Sequence, residues 1–281
     1  MKTKTSRLTV AAVQMRFNGS VDDHVREIID RIAKVAARGA DAVLFPECAV
    51  TGYNLDFEAI RPEVIEQALE SIADATRKAA CHVLVGSPTF TGGKRFNSLV
   101  VFDRRGRESF RYSKIHLTPR DARFFHRGNA PAFFHIDGVP CTAMICHERR
   151  YPELVRLPVM MGARIVFHPN AGLDTLAVSK TKRAGRDGIA IRAFENQVFY
   201  VFANSVGPQG DTLWSAGDSK IVAPDSQVLA LADNRRAGVI TADLDTALAG
   251  RRYAIEALRQ PAFLRPHWKA LLDACRRQLS E

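Results

Sequence analysis

The stretch Pro140-Cys-Thr-Ala-Met-Ile-Cys146, followed at once by His147-Glu-Arg-Arg-Tyr-Pro-Glu153, decides how this chain is to be read. An apolar run of that length, ending abruptly in charge, reads as a buried strand, and residues 151–161 read as a helix. The joint between them carries a cysteine. A thiol at a strand-to-helix turn is pushed out of the sheet toward solvent, and a nearby helix N-terminus favours its negative form. The turn therefore predicts a thiol of lowered pKa. The competing reading is a buried cysteine serving as a small hydrophobe.

Outward from this joint, strand-like and helix-like segments alternate. Residues 8–15 read as a strand, and Ser20 caps a helix running toward Ala37, whose Val21, Val25, Ile28, Ile29, Ile32 and Val35 recur at helical spacing. Residues 41–47 form the next strand, 62–80 a helix with proline near its start, and 81–87 a strand. A hairpin pairs 97–102 with 107–112 around Asp103-Arg-Arg-Gly106. Beyond the cysteine joint, 163–168 is a strand ending in Pro169-Asn170-Ala171, and one long helix covers 176–196, weakened by Gly185 and Gly188. Strands follow at 198–204, 219–223, 228–232 and 238–244. No repeat or low-complexity linker divides the chain, so it reads as one domain over 1–281 with a helical tail at 248–281. Local pattern alone thus predicts a layered α/β protein with mixed sheets.

Composition agrees with a compact enzyme. A chain of 281 residues, 46% of them hydrophobic, can bury a large core. Its five cysteines show no paired spacing for a disulfide framework or a zinc site, which points to reduced thiols and a cytoplasmic location. The basic N-terminus leads into a strand-like segment, not a signal-peptide core, and no stretch reaches transmembrane length. The net charge of +10 is spread along the chain, with an excess after Gly250. Without a nucleic-acid motif or an interleaved aromatic stripe, that face reads as solvated, with no specific nucleic acid and no membrane as partner.

Two further segments change the reading of Cys146. One is Asp41-Ala-Val-Leu-Phe-Pro-Glu47, a buried strand ending in a proline and a carboxylate; the other is Arg111-Tyr-Ser-Lys114-Ile-His-Leu117. Taken singly, Glu47 is a surface acid and Lys114 a solvated lysine. Taken together and in order, the Phe-Pro-Glu47, Lys114-Ile-His-Leu and Cys146 segments resemble the nitrilase superfamily of carbon–nitrogen hydrolases, from about Leu8 to Asp243. The resemblance implies a four-layer α-β-β-α sandwich and a homodimer or larger homo-oligomer; a nucleophile, proton carrier and oxyanion stabiliser drawn from side chains need no cofactor and no metal. Breaking an unactivated C–N bond needs a nucleophile, a proton carrier and an oxyanion stabiliser. Cys146, Glu47 and Lys114 fit those roles, with the His147 backbone N–H as a second oxyanion donor and with the Glu47 pKa raised by burial.

Two positions depart from the family pattern. Where a second glutamate is usual stands Asp121, one methylene shorter, whose carboxylate would lie farther from Lys114 unless its loop moves inward. Glu148 replaces the usual aspartate and reads as a structural support for the loop. Arg150 matches a family arginine of structural character. The Arg149–Arg150 pair resembles the N-carbamoyl-D-amino-acid hydrolase branch, so Arg149 is either a ligand for a substrate carboxylate or an exposed helix-start arginine. Asn170 and Ala171 are candidates to line the pocket, and Tyr53 is either a rim residue or a packed one. Glu195 and Asn196 read as core support, and His116 as a structural hydrogen-bonding histidine.

The expected activity is cysteine-dependent hydrolysis of a small-molecule, non-peptide amide or N-carbamoyl substrate through a thioester-type intermediate. The alternatives are a nitrilase acting on a nitrile and a catalytically idle binding protein with a basic surface. An isochorismatase-like hydrolase, built on Asp, Lys and Cys, is disfavoured by Phe-Pro-Glu47.

Overall fold

The computed structural model describes residues 7–53, 56–181 and 188–280. The first half of the chain builds β1 (Arg7–Gln14), α1 (Val21–Ala36), β2 (Ala42–Leu44), α2 (Pro62–Ala79), β3 (His82–Thr91), β4 (Lys94–Phe102), β5 (Glu108–Ser113), β6 (Phe134–Ile136) and β7 (Val139–Ala143). The second half adds α3 (Glu153–Met161), β8 (Ile165–Asn170), β9 (Leu173–Thr175), α4 (Leu176–Thr181), α5 (Ile189–Asn196), β10 (Phe199–Asn204), β11 (Val206–Gln209) and β12 (Leu213–Ala216). It closes with β13 (Lys220–Val222), β14 (Val228–Leu231), β15 (Gly238–Asp245), α6 (Arg252–Ala257) and α7 (Arg265–Ser280).

Two six-stranded sheets face each other, ordered β15-β1-β2-β3-β4-β5 and β14-β13-β10-β8-β7-β6. Each is parallel at its centre (β1-β2-β3 and β7-β8-β10) and antiparallel at its edges. Alternation along the strands assigns their side chains to layers. Leu8, Val10 and Ala12 of β1 face the second sheet and join Leu44, Leu84, Phe167 and Val201 in the inter-sheet core. Ala11 and Val13 face the other way, onto Ile28 and Ile32 of α1 and Ile65 and Ile72 of α2. On the far side, Val166, Tyr200 and Phe202 pack under Val155 and Val159 of α3 and Leu272 of α7. The result is the four-layer α-β-β-α sandwich. Strands buried on both faces explain why they read as continuous apolar runs.

The helix starts follow local chemistry. Ser20 forms a capping box with Asp23 at the head of α1, and Pro62 opens α2, where its missing N–H costs nothing.

The structure corrects two readings and adds one element. The helix expected over 176–196 is divided into α4 and α5, and Gly188, at φ +77°, is a left-handed residue that no continuous helix accommodates; the Gly185 part of that expectation lies outside the described residues. The strand 140–146 ends at Ala143, pairs with β6, and gives way to a 3₁₀ turn over Cys146–Arg150 before α3 begins. A small sheet, β11-β12-β9, was not foreseen; its strands are three or four residues long, too short for periodicity to show.

Candidate active site

The carboxyl ends of the central parallel strands, together with that of edge strand β5, bring together groups far apart in sequence. Glu47 follows β2, Lys114 follows β5, Cys146 follows β7, and Asn170 ends β8 with Ala171 directly after it. Lys114 is fully buried, and its Nζ lies 2.6 Å from Glu47 Oε1 and 2.8 Å from Asp121 Oδ2. An ammonium out of water between two carboxylates is held by charge-assisted hydrogen bonds on both sides. Burial opposes its charge, but Glu47, Cys146 and Asp121 outweigh that, and the lysine pKa stands well above its ordinary value.

Asp121 therefore does reach Lys114. Its 3₁₀ turn, Asp121–Arg123, folds inward because the carboxylate also accepts the Thr118 N–H at 3.0 Å and the Tyr53 hydroxyl. Burial alone would raise its pKa; Lys114, Tyr53 and the Thr118 N–H bring it below the ordinary aspartate value. Tyr53 is accordingly a packed residue that still contributes to the pocket wall.

Glu47 accepts from Lys114, from Asn97 Nδ2 at 2.8 Å and, through its other oxygen, from the Ala171 backbone N–H at 3.1 Å. Burial raises its pKa, as expected, with Lys114 working against the rise.

Cys146 is half-buried at the pocket wall. Its pKa is not lowered, contrary to the sequence expectation: burial first, and then the Glu47 carboxylate to which the thiol is hydrogen-bonded, push it up to about 12. The dipole argument fails because the thiol is desolvated and meets a carboxylate before any helix. Its backbone, at φ +52°, occupies the left-handed region, a strained position for a non-glycine residue. Glu148 pins the turn: its buried carboxylate accepts the N–H groups of Ile145, Ile115 and His116 and the Tyr112 hydroxyl, all within 3.0 Å. His116 stacks flat on Tyr151, so its ring supports the turn by packing, where a hydrogen bond was expected.

The thiol opens onto a cavity of about 580 Å³. Its wall includes His147, Arg149, Arg150, Arg120, Asn170 and Phe202. Arg149 is half-buried and Arg150 exposed, and both line the cavity. Glu195 pairs with Arg192 at 2.6 Å, and Asn196 bonds back to Arg192, in keeping with a supporting role. Among the described residues no group of three His, Cys, Asp or Glu side chains is arranged to hold a metal ion.

The family model for carbon–nitrogen hydrolases matches residues 9–253. The chain belongs to that family. Among its relatives are a nitrilase of Pyrococcus abyssi, 30% identical over 246 residues, 85% of this chain and 90% of that one, and a 2-oxoglutaramate amidase of Bacillus subtilis, 27% identical over 84% of this chain and 90% of that one. A mutant of the amidase from Nesterenkonia sp. AN1 shares the fold at a TM-score of 0.79 and 22% identity, covering 95% of this chain and 99% of the other; its active-site cysteine carries the acetamide moiety of fluoroacetamide.

Within this carbon–nitrogen hydrolase, sequence reading missed Asn97 and His168. Both are buried polar residues within strands, and burial of an amide or an imidazole demands a partner. That demand was the available signal.

Proposed function

We propose that this enzyme hydrolyses small amides or N-carbamoyl compounds bearing a free carboxylate, with Cys146 as nucleophile. The observation that carries the reading is the buried Glu47–Lys114–Asp121 cluster against the Cys146 thiol. Because the resting thiol is protonated, Glu47 takes its proton as Sγ bonds to the carbonyl carbon. The resulting oxyanion faces the Lys114 ammonium and the His147 N–H. The adduct collapses with C–N cleavage, Glu47 returning the proton to the leaving nitrogen. Water, deprotonated by Glu47, then attacks the thioester, and the departing thiolate regains its proton. Asp121 keeps Lys114 charged throughout.

The carboxylate preference rests on Arg149 and Arg150 at the cavity wall, neither of which meets a carboxylate among the described residues. A guanidinium free to bind can take a carboxylate through two parallel bonds. The five unpaired thiols support the cytoplasmic reading.

The test is ammonia release from N-carbamoyl amino acids, half-amides of dicarboxylic acids, neutral aliphatic amides and nitriles. Carboxylate-bearing amides should be turned over, and Cys146→Ala should abolish it. Arg149→Ala should raise KM for those substrates roughly 10–100-fold while sparing neutral amides. Turnover surviving in Cys146→Ala sinks the mechanism; preference for neutral amides or nitriles sinks only the carboxylate argument.

A further inference from the structure

We propose that His168 is a positioning residue for oxyanion stabilisation: its Nε2–H holds the Cys146 carbonyl and so aims the N–H on the other edge of the Cys146–His147 peptide. The inference rests on the nucleophilic role of Cys146 proposed above. His168 lies within β8, two residues on from Val166 and so on the same helix-facing side, and is completely buried. Nε2 lies 3.1 Å from the Cys146 carbonyl oxygen and Nδ1 lies 2.9 Å from the Tyr200 hydroxyl. A carbonyl only accepts, so Nε2 carries the proton, and in the neutral ring Nδ1 accepts from Tyr200. Burial, reinforced by the Arg149 charge, brings the imidazole pKa down to about 3, so the ring keeps this neutral form throughout the working range.

The bond matters because of where it falls. Cys146 is strained at φ +52°, and such a residue persists only where its surroundings over-determine it. Glu148 fixes the peptide before the cysteine: its backbone N–H donates to the Ile145 carbonyl at 3.1 Å, while its carboxylate accepts the Ile145 N–H one peptide earlier, at 2.8 Å. His168 fixes the peptide after it. That unit is trans and planar, so its carbonyl and its N–H point in opposite directions. A carbonyl drawn toward His168 in the helix-facing layer therefore sends the His147 N–H the other way, and both Cys146 and His147 line the cavity. Without the imidazole, the peptide is free to rotate and the donor loses its aim.

The experiment compares His168→Phe, His168→Gln and Tyr200→Phe with the wild type, using the amide of the panel turned over fastest. Alongside kcat and KM, it follows alkylation of Cys146 by iodoacetamide, a displacement that builds no oxyanion. His168→Phe should lower kcat ~10–100-fold, somewhat less than outright removal of an oxyanion donor, with KM changed less than ~3-fold. Alkylation should stay within ~3-fold of wild type, because the thiol and its base are untouched. His168→Gln, whose amide N–H can take the place of Nε2–H, should recover most of kcat. Equal loss of turnover and alkylation, an unchanged kcat, or a folded His168→Gln as slow as His168→Phe would overturn the proposal. Should His168→Phe fail to fold, Tyr200→Phe decides: a ~3–10-fold kcat loss with normal alkylation supports it, and an unchanged kcat overturns it. Failure of the underlying reading shows separately, as turnover in Cys146→Ala or an inert thiol in the wild type.

Discussion

Three donors of different kinds converge on the Glu47 carboxylate: the Lys114 ammonium, the Asn97 amide and the Ala171 backbone N–H. Asn97 is itself held, its Oδ1 facing the Cys48 thiol at 3.6 Å, so its Nδ2 edge is committed to Glu47. In the proposed mechanism Glu47 must be ionised to take the thiol proton. Its pKa is raised above 4.5, so activity is full above that raised value and is lost as pH falls through it. No alkaline limb is expected near neutral pH, because the Lys114 pKa stands well above its usual range and that of Cys146 is pushed up to about 12. The Asn97 bond works to lower the Glu47 pKa. Asn97→Ala should consequently move the acid limb of kcat/KM to higher pH and slow kcat by about 10-fold or more; an unmoved limb in a pH–rate profile would contradict this. Glu47→Gln should slow iodoacetamide alkylation of Cys146 by ~10²-fold or more, since Glu47 is the carboxylate to which the thiol is hydrogen-bonded. Loss of label by mass spectrometry measures it directly.

Strand β3 shows how an element positions a site it does not carry. The Gly86 carbonyl accepts the Val50 N–H at 3.2 Å, and the backbone around Glu47 crosses directly over the glycine. A methyl group there would meet the Pro46 carbonyl oxygen at 2.2 Å and the Glu47 Cα at 2.7 Å, both backbone atoms that cannot turn aside. Gly86→Ala should destabilise by about 1–3 kcal/mol, as overpacking does, and should also lower kcat by displacing Glu47. Denaturant unfolding together with kinetics tests both halves, and an active, fully stable variant would refute the close approach. A second device joins the two sheets: Arg104, in the β4–β5 turn, pairs with Asp41 ahead of β2 and with Asp137 between β6 and β7, and donates to the Ala80 carbonyl at 2.7 Å. Since Arg104 is about one-third exposed, its removal should cost only about 1–2 kcal/mol, read as a lower urea midpoint without a change in kcat.

At the scale of the whole molecule, the outer helical layer is incompletely covered. Ile191 and Phe194, three residues apart on α5, are 62% and 53% exposed, and Phe263, ahead of α7, is 72% exposed. Apolar residues sharing a helix face and left in water mark an interaction surface. This is where we propose that a second copy of the chain docks, in line with the expected homo-oligomer. Sedimentation should give at least a dimer for the wild type, and Ile191→Asp combined with Phe194→Asp should shift it toward monomer; a monomeric wild type would refute the proposal. No helix among the described residues is long and apolar enough to cross a membrane.

The layered fold was legible in the sequence because doubly buried strands and amphipathic helices must write their environment into local pattern, as Leu8, Val10 and Ala12 against Ala11 and Val13 do. The candidates Glu47, Lys114 and Cys146 could be picked out too, since each ends or follows a strand in a distinctive motif, and the fold brings them together. Only the tertiary structure decided the inward turn of Asp121, the high pKa of Cys146, and the parts of Asn97 and His168. Those properties depend on which groups meet after β2, β4, β5, β7 and β8 are laid side by side, and on the loss of water around them. Charge, desolvation and hydrogen-bond direction act through space over a few ångströms, and no pattern along a single segment records them.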